Sequence, residues 1–377
     1  MSMPYVLAFT REAGGAETLA PVLRSLGKKL PLLIVAGQHA RDRFDRHGII
    51  YHTLQDHSEE SFERLCMEEH GALPKGLFTS ATSMPFIDMT ERYLWMWAKD
   101  RRIPSVAVLD QWNNYALRFS GPQKGEELRY FPDVVAIMDE FAMREMKEEG
   151  IPEDLLRVTG HPALEYLMNS RERLLMMRAG TRDQLNVGPN TKFILFASEC
   201  IERDFHDEFG FSERMTFDMT VASLKKIAAE TGTSLHLGIK LHPENVIEDL
   251  GAGEAEIASM ASPITISIHR SEIPYRQLIV AADIIVGMVS MLLVESVVLG
   301  LPVVSVQPNA TPKARLVLTA QKLIPRIEQQ DEMDSLMGGL LLSSRQTEMY
   351  LARQGVFRSH SGATANIERL VFDTFHK

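Results

Sequence analysis

Ser290 and Glu295 lie in a segment whose residue types could hold a nucleotide. The apolar run 284–286 predicts a buried strand of a parallel sheet, and Gly287 ends it. Ser290 then stands where the next helix begins, with a hydroxyl that can cap that helix. The free N–H groups and the dipole of a helix N-terminus favour anions, so the segment predicts a phosphate beside Gly287, Ser290 and Met291.

Glu295 lies in the second turn of the same predicted helix, among apolar residues. An ionised carboxylate can accept two O–H hydrogen bonds at once, which suits the paired hydroxyls of a ribose. The alternative is one more strand–helix–strand unit in which Ser290 is only a cap. The segment by itself does not decide between the two interpretations.

A second candidate site follows the predicted strand 105–109, which ends at Asp110. Ligands bind beyond the carboxyl ends of strands in open α/β sheets, so Asp110 is predicted to be a catalytic base. Trp112 and Asn113 add a flat apolar face and a hydrogen-bonding edge, which is typical of a sugar site. Arg118 could contact an anionic substrate. The alternatives are an Asx turn at Asp110 and an ordinary exposed arginine.

Lys240 and His242 lie at the end of the predicted strand 235–240 and share a face, because they are two residues apart. A cation or an imidazole at this position could neutralise a departing diphosphate. His242 is therefore a candidate catalytic residue and Lys240 a candidate phosphate ligand, with a turn-capping histidine as the alternative. Cys200 is interpreted as a small buried residue, since no partner that would activate its thiol is evident.

The loop after the first predicted strand contains Arg11, Gly14 and Gly15. Glycine lets a backbone approach a ligand closely, and Arg11 flanks the pair. All three residues are predicted to contact the sugar or the acceptor. Many strand–helix turns use glycine for other reasons, so that alternative stays open.

Strands alternate with helices along the chain, which predicts doubly wound parallel sheets. We predict an N-terminal Rossmann-like domain over 1–185 on the acceptor side and a C-terminal one over 186–360 on the nucleotide side. A terminal helix in 361–377 is expected to pack back on the N-terminal domain. The predicted strands are 5–9, 32–35, 49–52, 76–79, 105–109, 134–138, 156–159, 193–197, 235–240, 264–268, 284–286 and 303–306.

The length and the composition of the chain exclude several classes of protein. A chain of 377 residues predicts two domains, and a net charge of −10 argues against a nucleic-acid-binding protein. Two cysteines predict a reducing compartment, and neither a signal peptide nor a membrane-spanning segment is recognisable, so we expect a cytoplasmic protein. The 12 histidines show no metal-ligand spacing, so no metal and no cofactor are predicted.

Three patches resemble the UDP-N-acetylglucosamine 2-epimerase group, whose fold is GT-B. They are the segment 126–167, which contains the sequence EEGIPEDLLRVTG, the unit 283–304, and the Gly-Gly loop 10–17, which also resembles lipid-A-disaccharide synthases. The resemblance implies two Rossmann-like domains that face each other across a cleft. It also implies that Glu295 holds the ribose and that Ser198 and Glu199 contact the nucleotide.

Two departures from that group favour a different reaction. The group has Gly-Asp-Thr where this chain has Phe78-Thr79-Ser80-Ala81, and Thr-x-His-Arg where it has Ala197-Ser198-Glu199-Cys200. A 2-epimerase needs acid–base groups on both faces of the sugar carbon, whereas a transferase needs one base and stabilisation of the departing nucleotide. The Lys-Leu-His-Pro sequence at 240–243 also resembles phosphate-side motifs of GT-B enzymes that make surface polysaccharides.

The sequence therefore predicts a metal-independent glycosyltransferase that uses a nucleotide-sugar as donor. The expected partners are that nucleotide-sugar and a glycan or lipid-linked acceptor for surface polysaccharide or glycoconjugate synthesis, with a homodimer left open. The first alternative is a hydrolysing 2-epimerase or a related sugar-nucleotide hydrolase. The second is a nucleotide-sugar-binding protein without catalytic activity.

Overall fold

A computed structural model describes residues 4–205, 208–261, 263–358 and 360–375 of the chain. The chain forms two compact units. The first unit contains the residues up to Tyr166 together with the C-terminal stretch from 360, and the second unit contains Leu167–Arg358. The chain thus leaves the first unit once and returns to it after the second.

The first unit is built on a parallel six-stranded sheet. Its strands are β1 (Val6–Thr10), β2 (Leu32–Ala36), β3 (Gly76–Ser80), β4 (Ser105–Val108), β5 (Val134–Ile137) and β6 (Leu156–Val158). Their order across the sheet is β2-β1-β3-β4-β5-β6, which is a doubly wound arrangement. Strands β1, β3 and β4 are buried along their whole length, as expected for a parallel sheet covered by helices on both faces.

The helices of the first unit follow its strands in alternation. They are α1 (Ala13–Leu26), α2 (Arg41–His47), α3 (Glu59–His70), α4 (Thr90–Asp100), α5 (Tyr115–Arg118), α6 (Glu140–Glu148) and the first part of α7 (Pro162–Asn169). One face of α1 packs on the sheet, where Leu19, Val22 and Leu23 join Val6 and Ala8 in a common apolar core. Burial of that face is the main stabilisation of the layer.

The second unit repeats the plan with another parallel six-stranded sheet. Its strands are β7 (Lys192–Ala197), β8 (Leu235–Lys240), β9 (Thr265–His269), β10 (Ile284–Gly287), β11 (Val303–Val306) and β12 (Arg326–Ile327). The order across the sheet is β12-β11-β10-β7-β8-β9. Alternate residues of β8, Leu235, Leu237 and Ile239, face the apolar core, so Lys240 and His236 lie on the opposite face.

The helices of the second unit are mostly short. They are α8 (Arg171–Met176), α9 (Arg178–Gln184), α10 (Ile201–Phe205), α11 (Glu213–Thr231), α12 (Glu254–Ala261), α13 (Tyr275–Ala281), α14 (Met291–Leu299), α15 (Val317–Ala320), α16 (Gln330–Leu342) and α17 (Ser344–Gln354). Among the described residues, no helix combines the length and the apolar character that crossing a membrane requires.

The last helix, α18 (Ala363–Phe375), returns to the first unit. Ile367 and Val371 are fully buried in the same core as α1. The Glu165 carboxylate accepts hydrogen bonds from the backbone N–H groups of Gly362 and Thr364, at 2.5 and 2.8 Å, and so caps the helix. The helix predicted in 361–377 therefore belongs to the first unit.

The division between the units lies at Tyr166–Leu167, earlier than the predicted boundary at 185. The reason is an arginine pair on α9. Arg178 and Arg182 form ion pairs with Asp283 at 2.5 and 3.2 Å and donate to carbonyl groups of α13. Helices α8 and α9 thereby belong to the second unit rather than to a linker.

One strand prediction was wrong, and one short strand was not predicted. Residues 49–52 form no strand, and His52 makes only an isolated bridge with Val35. The edge strand β12 was not predicted, because two residues paired with β11 leave no periodic pattern in the sequence. Both differences lie away from the two regions that carry the candidate chemistry.

Candidate functional site

The turn between β10 and α14 has the predicted local structure. Ser290 is extended, with φ −64° and ψ 146°, and its hydroxyl oxygen accepts a hydrogen bond from the Leu292 backbone N–H at 3.1 Å. The predicted N-cap is therefore confirmed. Gly287 leaves little room for a side chain, since a Cβ atom there would lie 3.1 Å from Leu293 Cδ2. Met291 is the first residue of α14.

The backbone N–H groups of 288–290 form an amide nest just before α14, and Glu199 fills it. Glu199 Oε1 accepts from the N–H groups of Met288 and Val289 at 2.9 and 3.0 Å, and Oε2 accepts from Val289 at 3.2 Å. Glu199 was predicted to contact a nucleotide, and the spacing of the sequence gave no sign of this pairing. The donors that would favour a phosphate beside Ser290 are thus bound to the protein's own carboxylate.

Burial raises the pKa of Glu199 to about 7, because desolvation disfavours the charged form more than the backbone N–H groups of Met288 and Val289 favour it. The neighbouring Glu213 carboxylate acts in the same direction as burial. Near neutral pH the Glu199 carboxyl group is therefore partly charged and partly neutral.

The loops after β7 and β8 meet around Asn245. Its amide donates to Ser198 Oγ at 3.1 Å and to the Glu199 carbonyl oxygen at 3.0 Å. Cys200 Sγ lies 3.1 Å from His242 Nδ1 and donates to Asn245 Oδ1. Cys200 is buried, as predicted, and the fold gives it two polar neighbours that the sequence did not indicate. Burial nevertheless raises its pKa to about 12, so the thiol stays protonated and inert near neutral pH.

His242 is uncharged at neutral pH, because burial lowers its pKa. Its Nδ1 accepts a hydrogen bond from the Glu244 backbone N–H at 3.3 Å, so the ring proton is on Nε2. His242 can thus donate one hydrogen bond, but it does not supply a positive charge that would neutralise a departing diphosphate. Burial also lowers the pKa of Lys240, whose ammonium donates to the Leu241 carbonyl oxygen.

Glu295, the predicted ribose ligand, is held by two side chains of α13. Arg276 donates from Nε and Nη2 to the two carboxylate oxygens, both at 3.2 Å, and the Tyr275 hydroxyl donates to Oε1 at 3.1 Å. A bidentate guanidinium fixes the plane of a carboxylate and leaves lone pairs on both oxygens. Sequence reasoning missed Tyr275 and Arg276, because only the fold brings α13 beside α14.

In the first unit, Asp110 follows β4 and forms an ion pair with Arg118. The Arg118 guanidinium lies 2.8 Å from Asp110 Oδ1 and also donates to the carbonyl oxygens of Ala81 and, at 3.2 Å, Asn113. Arg118 is only 2% exposed and is bound to protein groups, so it is not the exposed arginine that the sequence allowed for, and its contact with a substrate stays a prediction. The Asp110 side chain is 11% exposed, and its position is fixed by the pair.

The sequence predicted that Trp112 offers a flat aromatic face to a sugar, but in the structure this ring is packed inside the protein. It is 5% exposed, its indole N–H donates to Asp139 Oδ2 at 2.9 Å, and its ring stacks on His161 with a centroid distance of 5.4 Å. An amphipathic ring with its polar end satisfied inside the protein is a packing element. Asn113 is partly exposed, and its buried Oδ1 has no hydrogen-bond partner among the described residues.

The two glycines of the first loop approach protein side chains. A Cβ atom at Gly14 would collide with Asp110 Oδ2, and one at Gly15 would lie 2.5 Å from Ser80 Oγ. They bring the start of α1 against the polar edge of β3 and β4. Arg11 forms ion pairs with Glu12 and, at 3.5 Å, with Asp88.

A carboxylate does stand beside the end of β3, although the strand itself has none. Glu91 of α4 accepts from the Ser80 hydroxyl and from the Thr82 backbone N–H, and burial raises its pKa. Ser80 Oγ lies 2.6 Å from Thr10 Oγ1. Glu91 is 1% exposed, so it organises this edge of the sheet and is not accessible to a sugar.

Gly15→Ala should destabilise the first unit by about 1–3 kcal/mol, the usual cost of overpacking. The added methyl group would lie 2.6 Å from Ser80 Cβ, which is closer than two carbon atoms approach, so β3 or α1 would have to shift. Urea unfolding measures the loss. Gly180→Ala in α9, where no atom lies within 4 Å of the new Cβ, is the control and should be neutral or slightly stabilising. Equal stability of the two variants would contradict the close packing at Gly15.

No protein-family model matches the sequence, and no curated protein is detectably similar to it. Several solved structures are similar over nearly the whole chain. The UDP-GlcNAc 2-epimerase from Neisseria meningitidis, solved with UDP-GlcNAc, has 16% identity and a TM-score of 0.64, with 99% of each chain covered. Anabaena HepE, solved with UDP-glucose, has 12% identity and a TM-score of 0.64, again with 99% of each chain covered.

A glycosyltransferase from Rickettsia africae has 12% identity and a TM-score of 0.64, with 100% of this chain and 98% of that chain covered. At these identities the similarity concerns the fold. It confirms the predicted α/β architecture of GT-B type, with two Rossmann-like domains, and the predicted resemblance to the UDP-GlcNAc 2-epimerase group. The roles of individual residues stay predictions.

Proposed function

We propose that this chain is a cytoplasmic enzyme that acts on a UDP-sugar, as a glycosyltransferase that transfers the sugar to a glycan or lipid-linked acceptor. The observation that carries the proposal is the β10–α14 element, in which a Ser290-capped helix is followed by a fixed Glu295 carboxylate. The proteins of the same fold that were solved with UDP-sugars support the choice of uridine nucleotide.

On the donor side, Glu295 would accept hydrogen bonds from the ribose hydroxyl groups. Its two oxygens keep lone pairs after binding Arg276, and its side chain is 14% exposed. The diphosphate would lie toward Ser290, and the His242 Nε2–H could donate to it. A departing nucleotide carries negative charge, and such fixed donors stabilise that charge without a metal ion.

On the acceptor side, Asp110 would take the proton from the attacking hydroxyl group. Oδ1 is bound to Arg118 and Oδ2 lies against Gly14, so the carboxylate is held in one orientation. A base fixed by its neighbours loses little freedom when the acceptor arrives, which favours proton transfer. Asn113 and Arg11 stay candidate contacts to the sugar or the acceptor.

A hydrolysing 2-epimerase is the second candidate, and the overall similarity to the Neisseria enzyme favours it as much as transfer. Epimerisation needs acid–base groups on both faces of a sugar carbon. The carboxylate nearest the end of β3, Glu91, is buried and bound to Ser80 and Thr82. This burial is the reason for preferring transfer.

The two reactions differ in what the enzyme does without an acceptor. We expect slow release of UDP from UDP-GlcNAc or UDP-glucose by the protein alone, and faster release when octyl glucoside and octyl N-acetylglucosaminide are added as acceptor probes. Chromatography of nucleotide and sugar measures both. Rapid acceptor-independent release with formation of a 2-epimerised sugar would establish the epimerase instead. Nucleotide binding without turnover under any condition would favour a binding protein.

Glu295→Gln should weaken UDP binding by about 1–3 kcal/mol, the range for hydrogen bonds to a charged group. The amide keeps the size of the side chain but loses one acceptor oxygen and the ion pair with Arg276. Calorimetric titration with UDP measures the change. Glu256→Gln, on the exposed face of α12, is the control and should bind UDP as the wild type does. Unchanged affinity in a folded Glu295→Gln protein would remove Glu295 from the nucleotide site.

A further inference from the structure

The occupied amide nest has a direct consequence for binding of a diphosphate. The N–H groups of Met288 and Val289 lie just before α14, and both are already bound to Glu199, which the Ser290 N–H also faces. Glu199 itself is partly exposed, while Ser290 beside it is also partly exposed, so a ligand can reach this turn. A diphosphate that binds at this turn would meet the Glu199 carboxylate, which already accepts the hydrogen bonds from these backbone N–H groups.

Two anions cannot share one nest without a large repulsion in a partly desolvated site. Residues 288–290 have no titratable side chain that could offset this repulsion. Of the charged side chains, Glu213 of α11 acts directly on Glu199. The groups around the adjoining Cys200 are Arg203 and Asp204 of α10, Glu244, His242 and, at the end of β8, Lys240.

These neighbours do not neutralise Glu199. Glu213 adds negative charge, and Cys200 stays protonated. His242 is uncharged at neutral pH, and the Lys240 ammonium is directed at the Leu241 carbonyl oxygen rather than at Glu199. Arg203 is already paired with Asp204 at 2.8 Å and with Glu244 at 2.5 Å. The group that can most readily relieve the repulsion is therefore Glu199 itself, since burial already raises its pKa to about 7.

We propose that a UDP-sugar binds to the second unit together with one proton, which is taken from solvent by the Glu199 carboxylate. The neutral carboxyl group stays in the nest: its carbonyl oxygen keeps the hydrogen bonds from Met288 and Val289, and its new O–H donates to a phosphate oxygen. The charges balance: before binding there are one carboxylate, one proton and one UDP-sugar dianion, and after binding there is one complex with the same net charge of about −2 from these groups. This inference rests on the proposed function, and it makes donor affinity dependent on pH.

The direction of the pH dependence follows from the raised pKa. Below about pH 7 Glu199 is already protonated in the free protein, so the affinity is constant. Above that pH each unit should raise the Kd by up to about tenfold, because one proton must be taken up for each ligand bound. UDP-GlcNAc is the suitable probe, since both of its phosphates are esterified, whereas the terminal phosphate of UDP itself titrates near pH 6.

The test is calorimetric titration of the full chain with UDP-GlcNAc between pH 6 and about 8.5, in buffers of different ionisation enthalpy. The wild type should take up about one proton at pH 8 and lose affinity as the pH rises. Glu199→Gln should bind with a Kd that is independent of pH and at least as tight as that of the wild type at pH 8. The control Glu230→Gln, an exposed carboxylate on α11, should keep the wild-type profile. Chromatography of the titrated sample verifies that the ligand is intact.

Three outcomes separate this inference from the proposed function. Binding by the wild type with no proton uptake and a constant Kd would overturn the inference alone. Proton uptake that persists in Glu199→Gln and disappears in His242→Gln would place the proton on His242 and overturn it as well. No binding of UDP-GlcNAc or UDP-glucose by wild type or Glu199→Gln at any pH would instead remove the proposed function. If a variant fails to fold, the number of protons that the wild type takes up on binding still tests the inference.

Discussion

Asp110→Asn should lower the acceptor-stimulated release of UDP from its donor by about 10²–10⁴, the usual contribution of a general base. The amide has nearly the shape of the carboxylate but cannot take a proton from the acceptor. The affinity for UDP should stay close to that of the wild type, because Asp110 belongs to the first unit and the predicted nucleotide ligands to the second. Initial rates and calorimetric titration with UDP measure the two quantities.

A second effect of Asp110→Asn must be separated from the first. Arg118 is buried, so the variant leaves a guanidinium without its charge partner. The double variant Asp110→Asn with Arg118→Met removes both charges, and replacing a buried ion pair in this way is often close to neutral for stability. We expect the double variant to recover stability but not turnover. If turnover returns with stability, Asp110 is a structural residue and the assignment as a base is wrong.

Arg118→Met alone should destabilise the first unit by about 3–5 kcal/mol, the cost of leaving a buried charge unpaired. Asp110 loses its partner at 2.8 Å, and the carbonyl oxygens of Ala81 and Asn113 lose their donor. Methionine fills part of the volume, so the loss reports charge and hydrogen bonding rather than a cavity. Urea unfolding of the single and double variants gives the coupling energy of the pair.

The matched control is Arg129→Met, since Arg129 is exposed on the same unit. Substitutions at such positions usually change stability by no more than about 0.5 kcal/mol. If Arg118→Met costs no more than Arg129→Met, the ion pair does not hold this part of the first unit together. The geometry around Asp110 would then have to be reconsidered.

Local patterns predicted the features that depend on neighbouring residues. The strand before Gly287, the Ser290 cap and the helix that contains Glu295 follow from burial pattern, capping and helix-stop signals within one short segment. The alternation of such units was sufficient to predict two parallel sheets, and the resemblance of three patches to the UDP-GlcNAc 2-epimerase group added the GT-B type of fold. These signals are short-range, so one sequence is enough to recognise them.

Pairings over long distances in the chain were not predictable in the same way. Glu199 and the Met288 N–H meet only because β7 and β10 are neighbours in the sheet, and Arg276 meets Glu295 only because α13 packs beside α14. Trp112 has a composition that suits a sugar site, yet its indole N–H finds Asp139 inside the fold. Residue type predicted which groups are polar, whereas the packing decides which of them are already satisfied.

The return of α18 to the first unit sets the order in which the two units can be completed. The second unit is one continuous stretch, and a nascent chain contains all of it before α18 has been translated. The first unit lacks Ile367 and Val371 of its core until that later moment. The apolar surface of α1 that α18 covers therefore stays exposed until the C-terminal stretch has been added, whereas every residue of the second unit precedes that stretch. The first unit is translated before the second, but its core can be completed only after the last residue of the second unit has been joined to the chain.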